Sequence, residues 1–129
     1  MAGTLSKILH VEDEQDIQEI VKLALETIGG FSVETCSSGH EALEKVSLFQ
    51  PDLFLLDVMM PGMDGPETLS ALREEAGFAD TPVIFMTAKV MEDEVIRFKE
   101  IGALDVISKP FDPMSLGEKI KAIWDASHG

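Results

Sequence analysis

The chain has 129 residues, 45% hydrophobic and 26% charged, a composition typical of one globular domain with its own core. The formal net charge of -14 opposes direct binding to nucleic acid or anionic lipid, because both are negatively charged. The sequence lacks the run of roughly 18 apolar residues that spans a bilayer, and its N-terminus does not read as a signal peptide. We therefore expect a cytoplasmic protein that binds neither nucleic acid nor membranes directly.

The first part of the chain alternates between strand-like and helix-like stretches. Ile8–Val11 predicts a buried strand that ends in acidic residues, and apolar residues from Ile17 to Ile28 recur at helical spacing. Gly29-Gly30 is expected to end that helix. Phe31–Cys36 predicts a second strand, and Ser37-Ser38-Gly39 is expected to cap a second helix.

The alternation continues to the end of the chain. Leu53–Leu56 is an unbroken apolar run ending at Asp57, which is typical of a strand buried on both faces of a parallel sheet. The remaining predicted elements are a helix through Leu69 and Leu72, a strand from Val83 to Met86 ending at Thr87, a helix from Glu92 to Ile101, a short strand from Val106 to Ser108, and a helix starting at Asp112-Pro113.

Five strands alternating with five helices predict an α/β fold with a doubly wound parallel sheet. We expect one domain, 1–129, with its core at about residues 7–126. In such sheets a ligand site lies beyond the carboxyl ends of the strands. The sequence therefore predicts that chemistry takes place at the strand ends.

Polar residues stand at four of those ends: the pair Glu12-Asp13, then Asp57, Thr87 and Lys109. Three carboxylates at one edge of a sheet repel one another unless positive charge neutralises them. Lys109 supplies one charge, and Mg2+, which binds oxygen ligands, could supply more. This combination suits phosphoryl transfer to an aspartate nucleophile.

Each residue also has a structural interpretation. Glu12 and Asp13 could start the first helix, where acids favour the helix dipole. Thr87 could be a helix cap, and Lys109 an ordinary surface lysine. Asp57 is harder to explain this way, because burying an unpaired carboxylate is costly. The occurrence of all these residues at successive strand ends favours a functional site.

From about Lys7 to Ala126 the sequence resembles the receiver domain of two-component response regulators. The most specific stretch is LFLLDVMMPGMDGPE, residues 53–67, and HVEDE, VIFMTA and ISKPF supply the acidic pair, the threonine and the Lys-Pro pair. The resemblance implies a flavodoxin-like sheet with strand order 2-1-3-4-5 and a cis bond between Lys109 and Pro110. It also implies a signalling domain that assists its own phosphorylation, rather than an enzyme acting on external substrates.

The resemblance further implies residue roles. Asp57 would be phosphorylated, Glu12, Asp13, Asp57 and the backbone carbonyl of Met59 would bind Mg2+, and Thr87 and Lys109 would contact the phosphoryl group. Asp13 is the safer direct metal ligand, because the first acid of the pair often acts through a metal-bound water. The implied partners are a histidine kinase or histidine phosphotransfer protein and a downstream protein target or output domain, with the chain a monomer or a phosphorylation-linked dimer.

One position departs from the family pattern. Receivers commonly carry Tyr or Phe three residues before the lysine, whereas this chain has Val106 there and no tyrosine at all. An aromatic toggle is therefore not expected at that site. Met59 and Lys89 occupy rim positions that vary in the family and are expected to tune the lifetime of the phosphorylated state.

Three alternatives remain at the level of sequence. A Mg2+-dependent phosphohydrolase of the haloacid dehalogenase type needs a second aspartate two residues after the first, where this chain has Met59. A phosphorylation-independent docking module usually lacks the aspartate or the lysine, and both are present. A flavin carrier fits poorly, because the loop after the first strand is acidic. The sequence does not decide between a stand-alone regulator and an excised domain.

Overall fold

The computed structural model describes residues 4–88 and 90–128, and within them five parallel strands form one sheet in the order β2-β1-β3-β4-β5. The predicted strand order is therefore confirmed. The strands are β1 (Lys7–Val11), β2 (Ser32–Cys36), β3 (Leu53–Asp57), β4 (Val83–Thr87) and β5 (Ala103–Ser108).

Helices follow the strands in alternation, which confirms the predicted α/β, doubly wound, flavodoxin-like fold. The first helix begins as an α-helix and continues without a break as a π-helical segment, Leu23–Ile28. None of the helices in the described parts of the chain is both long and apolar enough to cross a membrane. The helices are α1 (Gln15–Lys22), α2 (Gly39–Phe49), α3 (Gly65–Arg73), α4 (Glu92–Glu100) and α5 (Leu116–His128).

The sheet separates two hydrophobic cores. On one face, Leu9, Phe54 and Phe85 pack in a cluster to which α2, α3 and α4 contribute. On the other, Ile8 and Leu55 pack in a cluster with residues of α1, its π-helical extension and α5. All residues of β3 and β4 are buried, because a central parallel strand is covered on both faces.

Two of the predicted elements start more than two residues away from their start in the structure. The last helix starts at Leu116 rather than Asp112, because Asp112 closes a turn: its Oδ1 accepts a hydrogen bond from the Met114 N–H at 3.0 Å and its carbonyl accepts one from Ser115 at 3.2 Å. Strand β5 starts at Ala103, three residues before the predicted Val106. A register irregularity where β5 pairs with β4 interrupts the alternation from which a strand is recognised.

The first helix ends at Gly29-Gly30 as predicted. The Gly29 N–H donates to the Ala24 carbonyl at 3.0 Å, the five-residue spacing of a π-helix, and Gly30 has φ of 78°. A Cβ on Gly117 of α5 would lie 3.3 Å from the Gly29 Cα. The glycines therefore let α5 approach the end of the first helix closely.

Candidate functional site

Asp57 is the last residue of β3, and its side chain is buried although it is a carboxylate. Its Oδ1 lies 2.9 Å from the Lys109 Nζ. The next residue, Val58, donates its N–H to the Met86 carbonyl at 2.9 Å, so the backbone stays paired with β4 beyond the strand end. The Asp57 carboxylate is therefore fixed by the sheet and points into the region beyond it.

Lys109 follows β5 directly, and its N–H donates to the Thr87 carbonyl at 2.9 Å. Its ammonium group donates to the Glu12 Oε1 at 3.0 Å as well as contacting Asp57. The Lys109–Pro110 peptide bond is cis, as the resemblance implied. Lys109 is thus a largely buried cation held by two carboxylates from other strand ends, rather than an ordinary surface lysine.

Glu12 and Asp13 follow β1 and precede α1, whose N-cap residue is Glu14. They therefore do not form the first turn of the helix. Glu12 is fully buried and Asp13 is exposed, and the Glu12 Oε2 accepts a hydrogen bond from the Glu14 N–H at 3.1 Å. Carboxylate oxygens of Glu12, Asp13 and Asp57 lie within 4.8 Å of one another.

The charges of the site are unbalanced. Burial raises the pKa of Glu12 to about 7 despite the hydrogen bond from Lys109, and burial likewise raises the pKa of Asp57. Burial alone would lower the pKa of Lys109, but its bonds to Asp57 and Glu12 outweigh that effect and raise it. One ammonium group therefore faces three carboxylates, and this set of hard oxygen donors fits a divalent cation such as Mg2+.

A cavity of about 380 Å³ opens in front of these side chains. Met59, two residues after Asp57, is 77% exposed at its rim. Thr87 is buried at the end of β4, next to Ala88, which lines the cavity. Lys89, the other predicted rim residue, lies outside the described residues. The lining residues are Glu14, Ile17, Asp57, Met59, Ala88, Lys109 and Pro110.

Two residues near the site were not recognised from the sequence. A Cβ on Gly65 would lie 2.6 Å from the Asp57 carbonyl, so a glycine is needed where α3 starts against the end of β3. The Asp-Gly pair is a signal for a turn, not for this contact. His10 of β1 is fully buried, and neither ring nitrogen has a hydrogen-bond partner among the described residues. It stands two residues before Glu12, inside an apolar strand pattern.

Val106, at the position where receivers carry an aromatic ring, is half-buried against the core cluster that contains Phe85 and Phe98. It also borders a groove of about 490 Å³ between β5 and α5. The side chains on the other side of the groove include Ile123 and Lys119. Open space therefore lies beside Val106 at this edge of the sheet.

Known proteins share both this fold and this sequence. The structure superposes on the chemotaxis protein CheY4 of Vibrio cholerae with a TM-score of 0.84 and 31% identity, covering 92% of this chain and 98% of that one. It also matches a CheY-like receiver domain protein from Methanospirillum hungatei, with a TM-score of 0.80, 30% identity and 95% of each chain covered.

Among curated relatives, the chain is 40% identical over 117 residues to the alkaline phosphatase synthesis transcriptional regulatory protein PhoP of Bacillus subtilis. It is also 40% identical over 117 residues to the phosphate regulon transcriptional regulatory protein PhoB of Klebsiella pneumoniae. Each alignment covers 91% of this chain but only 48% and 51% of the relative, so the chain spans about half of their length.

The family model for the response regulator receiver domain matches residues 8–121, nearly the whole described chain. The sheet order, the curated relatives and the solved structures agree with that match. The chain therefore belongs to the response regulator receiver domain family of two-component systems.

Proposed function

We propose that Asp57 accepts a phosphoryl group from the phosphohistidine of a sensor kinase or of a histidine phosphotransfer protein. The observation that carries this proposal is the buried carboxylate of Asp57, in contact with Lys109 and within 4.8 Å of the carboxylates of Glu12 and Asp13. A buried cluster of this kind costs folding free energy. A role in chemistry explains why the chain contains it.

In the proposed reaction, a carboxylate oxygen of Asp57 attacks phosphorus while the phosphorus–nitrogen bond to histidine breaks. The product is an acyl phosphate on Asp57. The ammonium group of Lys109, already 2.9 Å from Asp57, is placed to neutralise the oxygens of the incoming group. Hydrolysis of the acyl phosphate by water releases inorganic phosphate and restores the carboxylate.

The donor set indicates which residues would hold a metal. Glu12, Asp13 and Asp57 offer carboxylate oxygens, and we assign the backbone carbonyl of Met59 as a further ligand. Asp13 is the more accessible direct ligand, since Glu12 is fully buried and bonded to Lys109. Bound Mg2+ would supply positive charge against the phosphoryl oxygens.

We further propose that the phosphorylated state is read by a partner. Thr87 and Lys109 would contact the phosphoryl oxygens and shift the backbone after β4 and β5, biasing a two-state equilibrium. PhoP and PhoB are named transcriptional regulatory proteins, which supports a downstream protein or output domain as the recipient of the signal. The chain would act in the cytoplasm, as a monomer or a phosphorylation-linked dimer, and would not turn over an external substrate.

The test is phosphorylation by acetyl phosphate with Mg2+, read by intact mass. We expect the wild-type chain to gain one phosphoryl group and Asp57→Asn to gain none. The control is Asp125→Asn, an exposed carboxylate on α5, which should be phosphorylated like wild type. Normal incorporation into Asp57→Asn would overturn the proposal.

The second candidate is a docking module that works without phosphorylation, and the observation in its favour is Val106. A folded wild-type chain that gains no phosphoryl group, from acetyl phosphate or from a phosphohistidine donor, would support this alternative.

A further inference from the structure

Met59 is strongly exposed at the rim of the Asp57 cavity. Its side chain is 77% exposed, whereas Met60, the next residue, is only 8% exposed and Met86 is fully buried. Ile17 and Ala88 add apolar side chains to the cavity lining, which also contains the charged residue Glu14. A thioether is thus open to solvent beside the carboxylate that we assign as the phosphoacceptor.

An exposed thioether reacts with peroxides. The sulfur lone pair attacks one oxygen of hydrogen peroxide, a sulfur–oxygen bond forms and the oxygen–oxygen bond breaks, giving methionine sulfoxide and water. Sulfur loses two electrons and the peroxide gains them. Thiol-dependent sulfoxide reductases reverse the step, with two thiols becoming a disulfide and the oxygen leaving as water. The modification is therefore reversible.

Oxidation would change the chemistry of the rim. A thioether is apolar and only a weak hydrogen-bond acceptor, whereas a sulfoxide oxygen is polar and accepts hydrogen bonds. Hydrolysis of an acyl phosphate needs a water molecule placed for in-line attack on phosphorus. A hydrogen-bond acceptor two residues from Asp57 would hold water near that position.

We propose that Met59 is a site of reversible oxidation by peroxide, and that its sulfoxide shortens the lifetime of the phosphoryl group on Asp57. The inference rests on the proposed function. It goes beyond it by coupling the phosphorylation site to a second, redox modification.

The experiment oxidises the full chain with hydrogen peroxide and follows each methionine by peptide mass mapping. We expect Met59 to be oxidised about ten-fold faster than Met60 and Met86, in line with exposure. Chain oxidised at Met59 is then phosphorylated with acetyl phosphate, and the decay of the acyl phosphate is timed. We expect decay at least about three-fold faster than in the reduced chain, with the difference removed by sulfoxide reductase.

Two variants separate this site from other exposed methionines. Met59→Leu keeps an apolar side chain that cannot be oxidised, so its phosphoryl lifetime should be the same before and after peroxide. Met114→Leu removes a methionine that is 68% exposed beyond β5, and it should keep the full response. Each variant is compared with its own reduced form.

Three outcomes would each overturn the inference while leaving the proposed function intact. They are slow oxidation of Met59, equal phosphoryl lifetimes in the reduced and oxidised chain, and an effect of peroxide on the phosphoryl lifetime that persists in Met59→Leu. Absence of an acyl phosphate on the reduced chain would instead overturn the proposed function, and the inference with it. That failure is distinguishable because it is seen before any peroxide is added.

Discussion

The Lys109 Nζ lies 2.9 Å from the Asp57 Oδ1. Asp57 ends β3 and Lys109 follows β5, and β4 lies between these two strands in the sheet. The same nitrogen lies 3.0 Å from the Glu12 Oε1, beyond β1. One ammonium group thus links the carboxyl ends of three strands. Since buried carboxylates repel one another unless neutralised, this contact is central to both the stability and the chemistry of the site.

Lys109→Met should therefore destabilise the folded chain. The substitution shortens the side chain by one heavy atom and leaves Glu12 and Asp57 without their cation, and we expect a loss of about 3 kcal/mol at pH 7. Urea unfolding without Mg2+ measures the difference, and it should shrink at pH 5, where Glu12 takes up a proton. Lys119→Met, at an exposed lysine, should change stability by less than about 0.5 kcal/mol. Equal stability of the two variants would contradict the role given to Lys109.

The raised pKa of Glu12 predicts pH-dependent metal binding. Burial raises that pKa from its usual value of 4.5 to about 7, so between these values the folded chain holds a proton that the unfolded chain has lost. Without metal, the contribution of Glu12 to stability therefore falls as pH rises through this window. Mg2+ needs the ionised carboxylates, so its affinity should rise with pH up to about 7 and then level off.

Calorimetric Mg2+ titrations from pH 5.5 to 8.5 measure this dependence. Glu12→Gln cannot ionise, so its weaker Mg2+ binding should vary much less with pH. If the Mg2+ affinity changed with pH as strongly in Glu12→Gln as in wild type, another group would be responsible for the pH dependence.

The sequence was sufficient to predict the strands because the signals are local, whereas the strand order came from the family resemblance. Leu53–Leu56 is an unbroken apolar run, and β3 is buried along its whole length. Once the strands are placed, the rule that ligands lie beyond the carboxyl ends of parallel strands brings Glu12, Asp57 and Lys109 together. The contacts of Lys109 with both carboxylates agree with that reasoning.

Two of the features that were not predicted, at His10 and Gly65, depend on packing between distant segments, whereas the start of α5 depends on a local turn. His10 occupies a position in β1 where the pattern predicts a core residue, and only the three-dimensional structure shows that its ring has no partner. The start of α5 was placed at Asp112, but the side chain of that residue closes a local turn instead. The need for a glycine at position 65 follows from the approach of α3 to the end of β3, which no local pattern records.

His10→Leu should stabilise the folded chain. Burial and, secondarily, the charge of Lys109 lower the pKa of His10 from its usual value of 6.5 to about 3. As pH falls from 6.5 towards 3, the unfolded chain therefore binds a proton that the folded chain does not, and stability decreases. Leucine cannot bind a proton, so it removes that acid-dependent loss of stability. It also removes two buried ring nitrogens without partners, and we expect the free energy of unfolding to rise by about 1–2 kcal/mol at pH 7.

Urea unfolding at pH 7 and at pH 5 measures both effects, with EDTA present to exclude metal. The gain should be larger at pH 5. His40→Leu alters an exposed histidine on α2 and should leave the pH dependence as in wild type. A wild-type pH dependence in His10→Leu would show that His10 is not responsible for the acid sensitivity.

Val106→Phe should restore an aromatic ring at the position where the family commonly has one. Val106 is half-buried and borders the open groove between β5 and α5, so the larger side chain should change stability by no more than about 1 kcal/mol. If the site of Asp57 is coupled to this edge, the acyl phosphate analogue beryllofluoride with Mg2+ should move the introduced ring. Aromatic NMR resonances measure that movement, and Val106→Leu controls for size. A ring that does not respond while the Thr87 resonances shift would show that the signal leaves the site by another route.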